Sequence, residues 1–165
     1  MEITLTNAER QLVLDEASRR QEYNESRNIK GRNGGEEVGD LALYYHKLGC
    51  AGEMAVAKYL GLENFLFKDI APKKGSCDLP YFIDVKTRSR SWHNLIVQKD
   101  DDIAKNFWLV TVEKKHISLE GWIYGHEAFQ EEYLKDPVGG RPAYFIPKTK
   151  LRTPESFYNH FTKTL

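Results

Sequence analysis

The sequence predicts a mixed α/β domain, a sheet of short strands flanked by helices. Three observations predict it: a long helical pattern over 40–60 that stops at Gly61, a series of short β-rich segments from about 65 to 146, and a last helix opened by Pro154. At 165 residues, with 41% hydrophobic and 12% aromatic content, the chain can bury one good core but not two. The expected organisation is an N-terminal helix and Gly-rich linker over 1–38, followed by a single domain over 39–165.

Thr6 or Asn7 can cap a helix through about Asn28. Its apolar stripe (Leu12, Val13, Leu14) is thin, so it is expected on the periphery, docked on the domain or on a second copy, with Arg10, Arg19, Arg20 and Arg27 solvated or touching phosphates. Gly31 to Gly35 has linker composition. Asp40 is expected to cap the next helix, to about Leu60, with Gly61 as its stop. On that helix Gly49, Gly52, Glu53, Val56 and Ala57 fall on adjoining faces. Small residues there let the backbone approach a sheet and carry Glu53 inward; an exposed helix acid is the plainer alternative.

The remaining elements follow from alternation and from turn residues. Strands are expected at Phe65–Lys68, in a hairpin over Asp78–Arg88, and at Leu95–Val97, Phe107–Val112, Ile117–Tyr124 and Ala143–Ile146. The Phe107–Val112 run is aromatic and β-branched throughout, as befits a strand buried on both faces. Asp100, Asp101 and Asp102 suit the N-terminus of a short helix, Glu127–Leu134 reads as another, and the last helix has Phe157 and Phe161 on one side.

Charge and composition exclude several function classes. Lys+Arg 24 against Asp+Glu 24 gives no net charge, so a polyanion must be held by a local patch. With no long apolar stretch and no basic-then-apolar leader, no membrane partner and a cytoplasmic protein are expected. Cys50 and Cys77 make neither a disulfide framework nor a zinc pattern, and the five His residues lack ligand spacing.

The chemistry concentrates in Gly75–Arg90. If the strand alternates from Tyr81, then Asp84, Lys86 and Arg88 share one face, and a carboxylate beside an ammonium on an apolar strand is costly to bury without a further partner or ion. Hard oxygen donors such as Asp78, Asp84 and Glu53 select Mg²⁺ or Mn²⁺, and Lys86 is near enough to Asp84 to orient a water or take its proton. Arg88 and Arg90, with Lys73 and Lys74 on the preceding turn, would form a basic rim for a phosphate backbone. Trp92 can stack on a base or lie as a lid on the core, and a simple surface salt bridge is the bland reading of Asp84 and Lys86.

Glu53 on a helix, Asp78 opening a hairpin, and then Asp84-Val85-Lys86 resemble the PD-(D/E)xK nuclease superfamily, over roughly Asp40 to Val112. The resemblance implies a restriction endonuclease-like fold. It also implies Asp78 and Asp84 as ligands of Mg²⁺ or Mn²⁺, Glu53 as a further ligand or supporting acid, Lys86 beside the attacking water and Gln98 as an accessory residue. Cys77 stands where the name-giving Pro would be, and the Asp78 to Asp84 spacing is short. The expected function is metal-dependent hydrolysis of DNA, in preference to RNA, with a homodimer or a protein partner as further expectations. The alternative is a catalytically silent protein of that fold that binds nucleic acid or a host protein, such as a phage-encoded modulator.

Overall fold

A computed structural model describes residues 1–29, 39–68 and 76–161, side chains excepted at His160 and Phe161. Gly31–Gly35, Lys73 and Lys74 lie outside the described residues. The architecture is layered: two helices, a four-stranded sheet, and a three-stranded sheet behind it.

Helix α1 (Asn7–Ser26) opens with a reciprocal cap, the Glu9 N–H donating to Thr6 Oγ1 at 3.2 Å and the Thr6 N–H to Glu9 Oε2 at 2.6 Å. It buries only Val13, Glu16 and Ala17, against α2 (Asp40–Leu60). Gly39, not Asp40, holds the cap position of α2, and the left-handed Gly61 ends it. From Leu48 onwards α2 is almost wholly buried, because it lies between α1 and the sheet.

The larger sheet runs β1 (Glu2–Ile3), β5 (His116–Tyr124), β4 (Asn106–Glu113), β2 (Ile83–Arg88), with β2 parallel to β4 and the other neighbours antiparallel. The smaller one runs β3 (Leu95–Gln98), β7 (Ala143–Ile146), β6 (Leu134–Lys135), all antiparallel. Strand β4 divides the core. Trp108 and Val110 face α2, while Phe107 and Leu109 face Leu95, Val97 and Ile146 of the second sheet. One bulge, between Leu109 and Val110, shifts the parity of β5, so that Leu119 and Trp122 both face α2. Gly121 permits it with φ 142°, since a Cβ there would lie 2.4 Å from the Arg152 carbonyl oxygen.

Helix α4 (Pro154–Phe161) lays Phe157 on Trp108 and Trp122, with ring centroids 5.1 and 4.8 Å away. Among the described residues no helix is long and apolar enough to cross a membrane.

Several elements differ from the expectations. Glu63–Phe65 is a 3₁₀ turn, not the start of a strand, because Leu62 and Leu66 are drawn into the core four residues apart. The first arm of the Asp78–Arg88 hairpin is a single bridge from Leu79 to Ile83. Tyr81 and Phe82 form its left-handed turn, with φ 65° and 59°, so alternation starts at Ile83. Asp100–Asp102 is a turn and not a helix start, as their side chains cap local N–H groups of Gln98 and Ala104. In 127–134 one turn of α3 (Gly125–Ala128) gives way to a 3₁₀ turn at Glu131–Tyr133 and then to β6, because Tyr133 enters the core between the sheets. The strands also divide between two sheets where one was expected.

At Gly52 helix α2 comes close against β2. A Cβ there would stand 1.9 Å from Thr87 Oγ1 and 3.1 Å from Thr87 Cβ. Gly52→Ala should therefore destabilise the protein by about 1–3 kcal/mol, although alanine is otherwise the better helix residue. Chemical denaturation measures this, and Thr87→Ala in the same chain should recover part of the loss.

Candidate metal and phosphate site

Glu53, Asp78, Asp84 and Lys86 come from three different pieces of chain. Glu53 reaches inward from α2 beside the Gly52 contact, and both it and Asp84 are buried, at 6% exposure. Asp78 sits at the mouth of the hairpin, where its Oδ2 accepts the Val85 N–H at 2.6 Å. Asp84 and Lys86 share the face of β2 turned towards Phe107, with Lys86 Nζ 2.7 Å from Asp84 Oδ2 and 5.4 Å from the Phe107 ring centroid.

Most of this charge is compensated within the chain. Arg20 of α1 grips Glu53 with both arms at 2.7 Å, and its Nε donates to Glu16, which also holds Arg19. Glu53 therefore raises the Arg20 guanidinium pKa further, against the opposing effect of burial. Asp84 is held a second time by Lys105, whose buried ammonium donates to Asp84 Oδ1 at 2.6 Å and to the Ser76 carbonyl at 2.7 Å. Burial works against that ammonium, but the bond and charge of Asp84 outweigh it and hold its pKa above the usual lysine value. Lys86 also pairs with Asp101 at 2.9 Å, and Asp101 in turn accepts the Gln98 N–H at 2.8 Å.

Asp78 is the exception, having no ion-pair partner among the described residues. Burial first, and then the charges of Glu53 and Asp84, push its pKa up to about 8 against the pull of the Val85 N–H and Lys86. It lines a cleft of about 240 Å³ with Arg20, Glu53, Phe67, Cys77 and Pro80. Cys50, three residues before Glu53, is fully buried, and burial pushes its thiol up to about 12.

The structure thus forms two ion-pair clusters, Glu53 with Arg20 and Glu16, and Asp84 with Lys86, Lys105 and Asp101; Asp78 feels the charges of both, and Gln98 is linked to the second through its backbone N–H. Arg88 follows on the same strand, its Nε buried without an acceptor among the described residues. Arg90 is exposed and pairs loosely with Glu113 at 3.6 Å. Arg20, Glu16, Lys105 and Asp101 are participants that sequence reasoning missed. Arg20 belongs to a helix whose stripe gave no direction, and Lys105 stands in a turn without periodicity. The carboxylate oxygens fit a hard divalent cation in donor chemistry. Even so, no three acids, His or Cys among the described residues are arranged to hold a metal ion, the cations just named already occupying Glu53 and Asp84. Comparison with protein-family models, curated proteins and solved structures gave no match.

The raised Asp78 pKa has a definite consequence for stability. The folded state keeps a proton that the unfolded chain releases near pH 3.8, so from there to about pH 8 this group makes stability fall as pH rises. Asp78→Asn, which keeps an acceptor for Val85, should remove that fall, so that its advantage over the parent grows from pH 5 to pH 9. Urea denaturation across that range checks it; parallel stability–pH curves for the two proteins are the contrary outcome.

Proposed function

We propose that the chain is a metal-dependent nuclease of the PD-(D/E)xK kind, with a restriction endonuclease-like fold, hydrolysing phosphodiester bonds of DNA in preference to RNA. One observation carries the reading. Asp78 is a half-buried acid with no ion-pair partner among the described residues, close enough to Glu53 and Asp84 to feel their charge at the edge of a cleft, and a divalent cation would relieve that repulsion. The order of elements supports it too: a helix with the first acid, a hairpin opened by the second, a strand carrying Asp84 and Lys86, and β4 parallel to that strand.

Asp78 and Asp84 would hold Mg²⁺ or Mn²⁺, with Glu53 as a third ligand or as the acid that fixes Arg20. Such an ion supplies an acidified water and offsets charge on the phosphate. The chain's own groups do the rest. Lys86, its ammonium anchored between Asp84 and Asp101, can orient a water by donating to it and offset charge developing on the phosphate. Lys105 ties Asp84 to Ser76 and so holds the Asp78 turn against β2. Arg88 and Arg90 lie further along the same segment to receive the phosphate backbone.

A second reading, a silent protein of this fold that binds nucleic acid or another protein, is favoured by the ion pairs that already satisfy Glu53 and Asp84. Calorimetric titration with Mn²⁺ and a cleavage assay separate the two. The nuclease reading expects Mn²⁺ binding that Asp84→Asn weakens severely. It also expects Lys86→Ala to lose about 100-fold or more in cleavage rate while still binding Mn²⁺. Absence of Mn²⁺ binding, with nucleic acid still bound, would establish the silent alternative.

A further inference from the structure

The far end of β2 holds a cation with no counterion among the described residues. Arg88 makes no ion pair and no hydrogen bond among the described residues, and its Nε is buried without an acceptor. Burial lowers its pKa. Its basic neighbours are differently placed. Arg90 has Glu113, and Lys148 has Glu120 at 2.9 Å and the Ser91 carbonyl. His93, close enough to feel the charges of both Arg88 and Arg90, likewise buries an Nδ1 that has no partner. A buried Arg88 Nε–H without an acceptor and a buried His93 Nδ1 without a partner among the described residues, near Arg90 and Lys148 as well as Glu113, cost stability unless a ligand completes them.

The surroundings narrow the choice of ligand. Trp92 adjoins His93, with ring centroids 4.3 Å apart, and is 74% exposed. Tyr45 of α2, close enough to act on Arg88, is also exposed. A forked guanidinium matches phosphate, and flat rings open to solvent match bases that are not paired within a duplex. Arg88 is two residues beyond Lys86 on the same strand face, a rise of about 6.6 Å, comparable to one nucleotide step.

We infer that Arg88 and His93 form a second phosphate seat, for the phosphodiester next to the one at Lys86 in a single-stranded segment of nucleic acid, with Trp92 stacking on the adjoining base. The seat rests on the nuclease reading for its substrate, yet it binds without the carboxylates. Binding can therefore be measured in EDTA.

Trp92 is the reporter. Trp108 and Trp122 are 0% and 1% exposed, so quenching by added strand reads Trp92 alone. A short oligothymidylate or oligouridylate should quench emission of the full chain, with the tighter binder identifying the sugar, and a blunt duplex of equal length should compete poorly. Arg88→Gln should weaken binding about tenfold and lower the slope of log affinity against log salt by about 0.7. Trp92→Phe, at an exposed position, should lose the quench and, with a labelled strand followed by anisotropy, bind more weakly than the parent. Unchanged affinity in a folded Arg88→Gln protein, or equal quenching by duplex, overturns the seat. Loss of quenching with Mn²⁺ binding and cleavage intact would leave the nuclease reading standing without it; quenching with neither Mn²⁺ binding nor cleavage would do the reverse.

Discussion

Burying carboxylates away from water is the constraint on which this structure turns. An ionised acid in a low-dielectric interior needs a cation at contact distance, and removing one partner of such a pair costs several kcal/mol, on the order of 3–5. Here Glu53 is answered from α1, and Asp84 from both β2 and the turn before β4. The acids thereby fasten together elements that share little apolar surface. Helix α1 is the clearest case, since its buried apolar side chains are only Val13 and Ala17, and its hold on α2 comes as much from Arg20–Glu53 and from Lys58–Glu9 at 2.8 Å.

The same constraint explains the place of the small residues. Glu53 can be carried inward only if the helix backbone comes close to β2, and Gly52 against Thr87 is where it does. One position thus sets the depth of the helix and the position of the acid beside it. The rigid sheet behind, with Trp108 and Phe107 on opposite faces of β4, fixes the other half of the site.

What the sequence made legible was what periodicity encodes. The extent of α2, the two-sided burial of β4 and the shared face of Asp84 and Lys86 all follow from spacings of 3.6 and 2.0 residues. The split into two sheets was not legible, because whether β3 pairs with β2 or with β7 depends on partners some fifty residues away. Nor was the turn at Tyr81 and Phe82, where bulky aromatic residues adopt a conformation that usually selects Gly or Asn. The counterions were hidden for a related reason. Arg20 and Lys105 look like any surface cation until the fold brings them 33 and 21 residues along the chain to their acids.

Beneath Arg20, the Cys50 thiol amounts to a clock built into the helix pair. A sulfur that ionises only near pH 12 and has no exposed surface is inert to alkylating reagents while α1 lies in place. It regains ordinary reactivity when that burial is lost, whether by the helices parting or by unfolding. Cys77, half-buried at the cleft, needs no such event to meet a reagent. The ratio of the two labelling rates therefore measures how often Cys50 is uncovered, including local openings that calorimetry of the whole chain averages away.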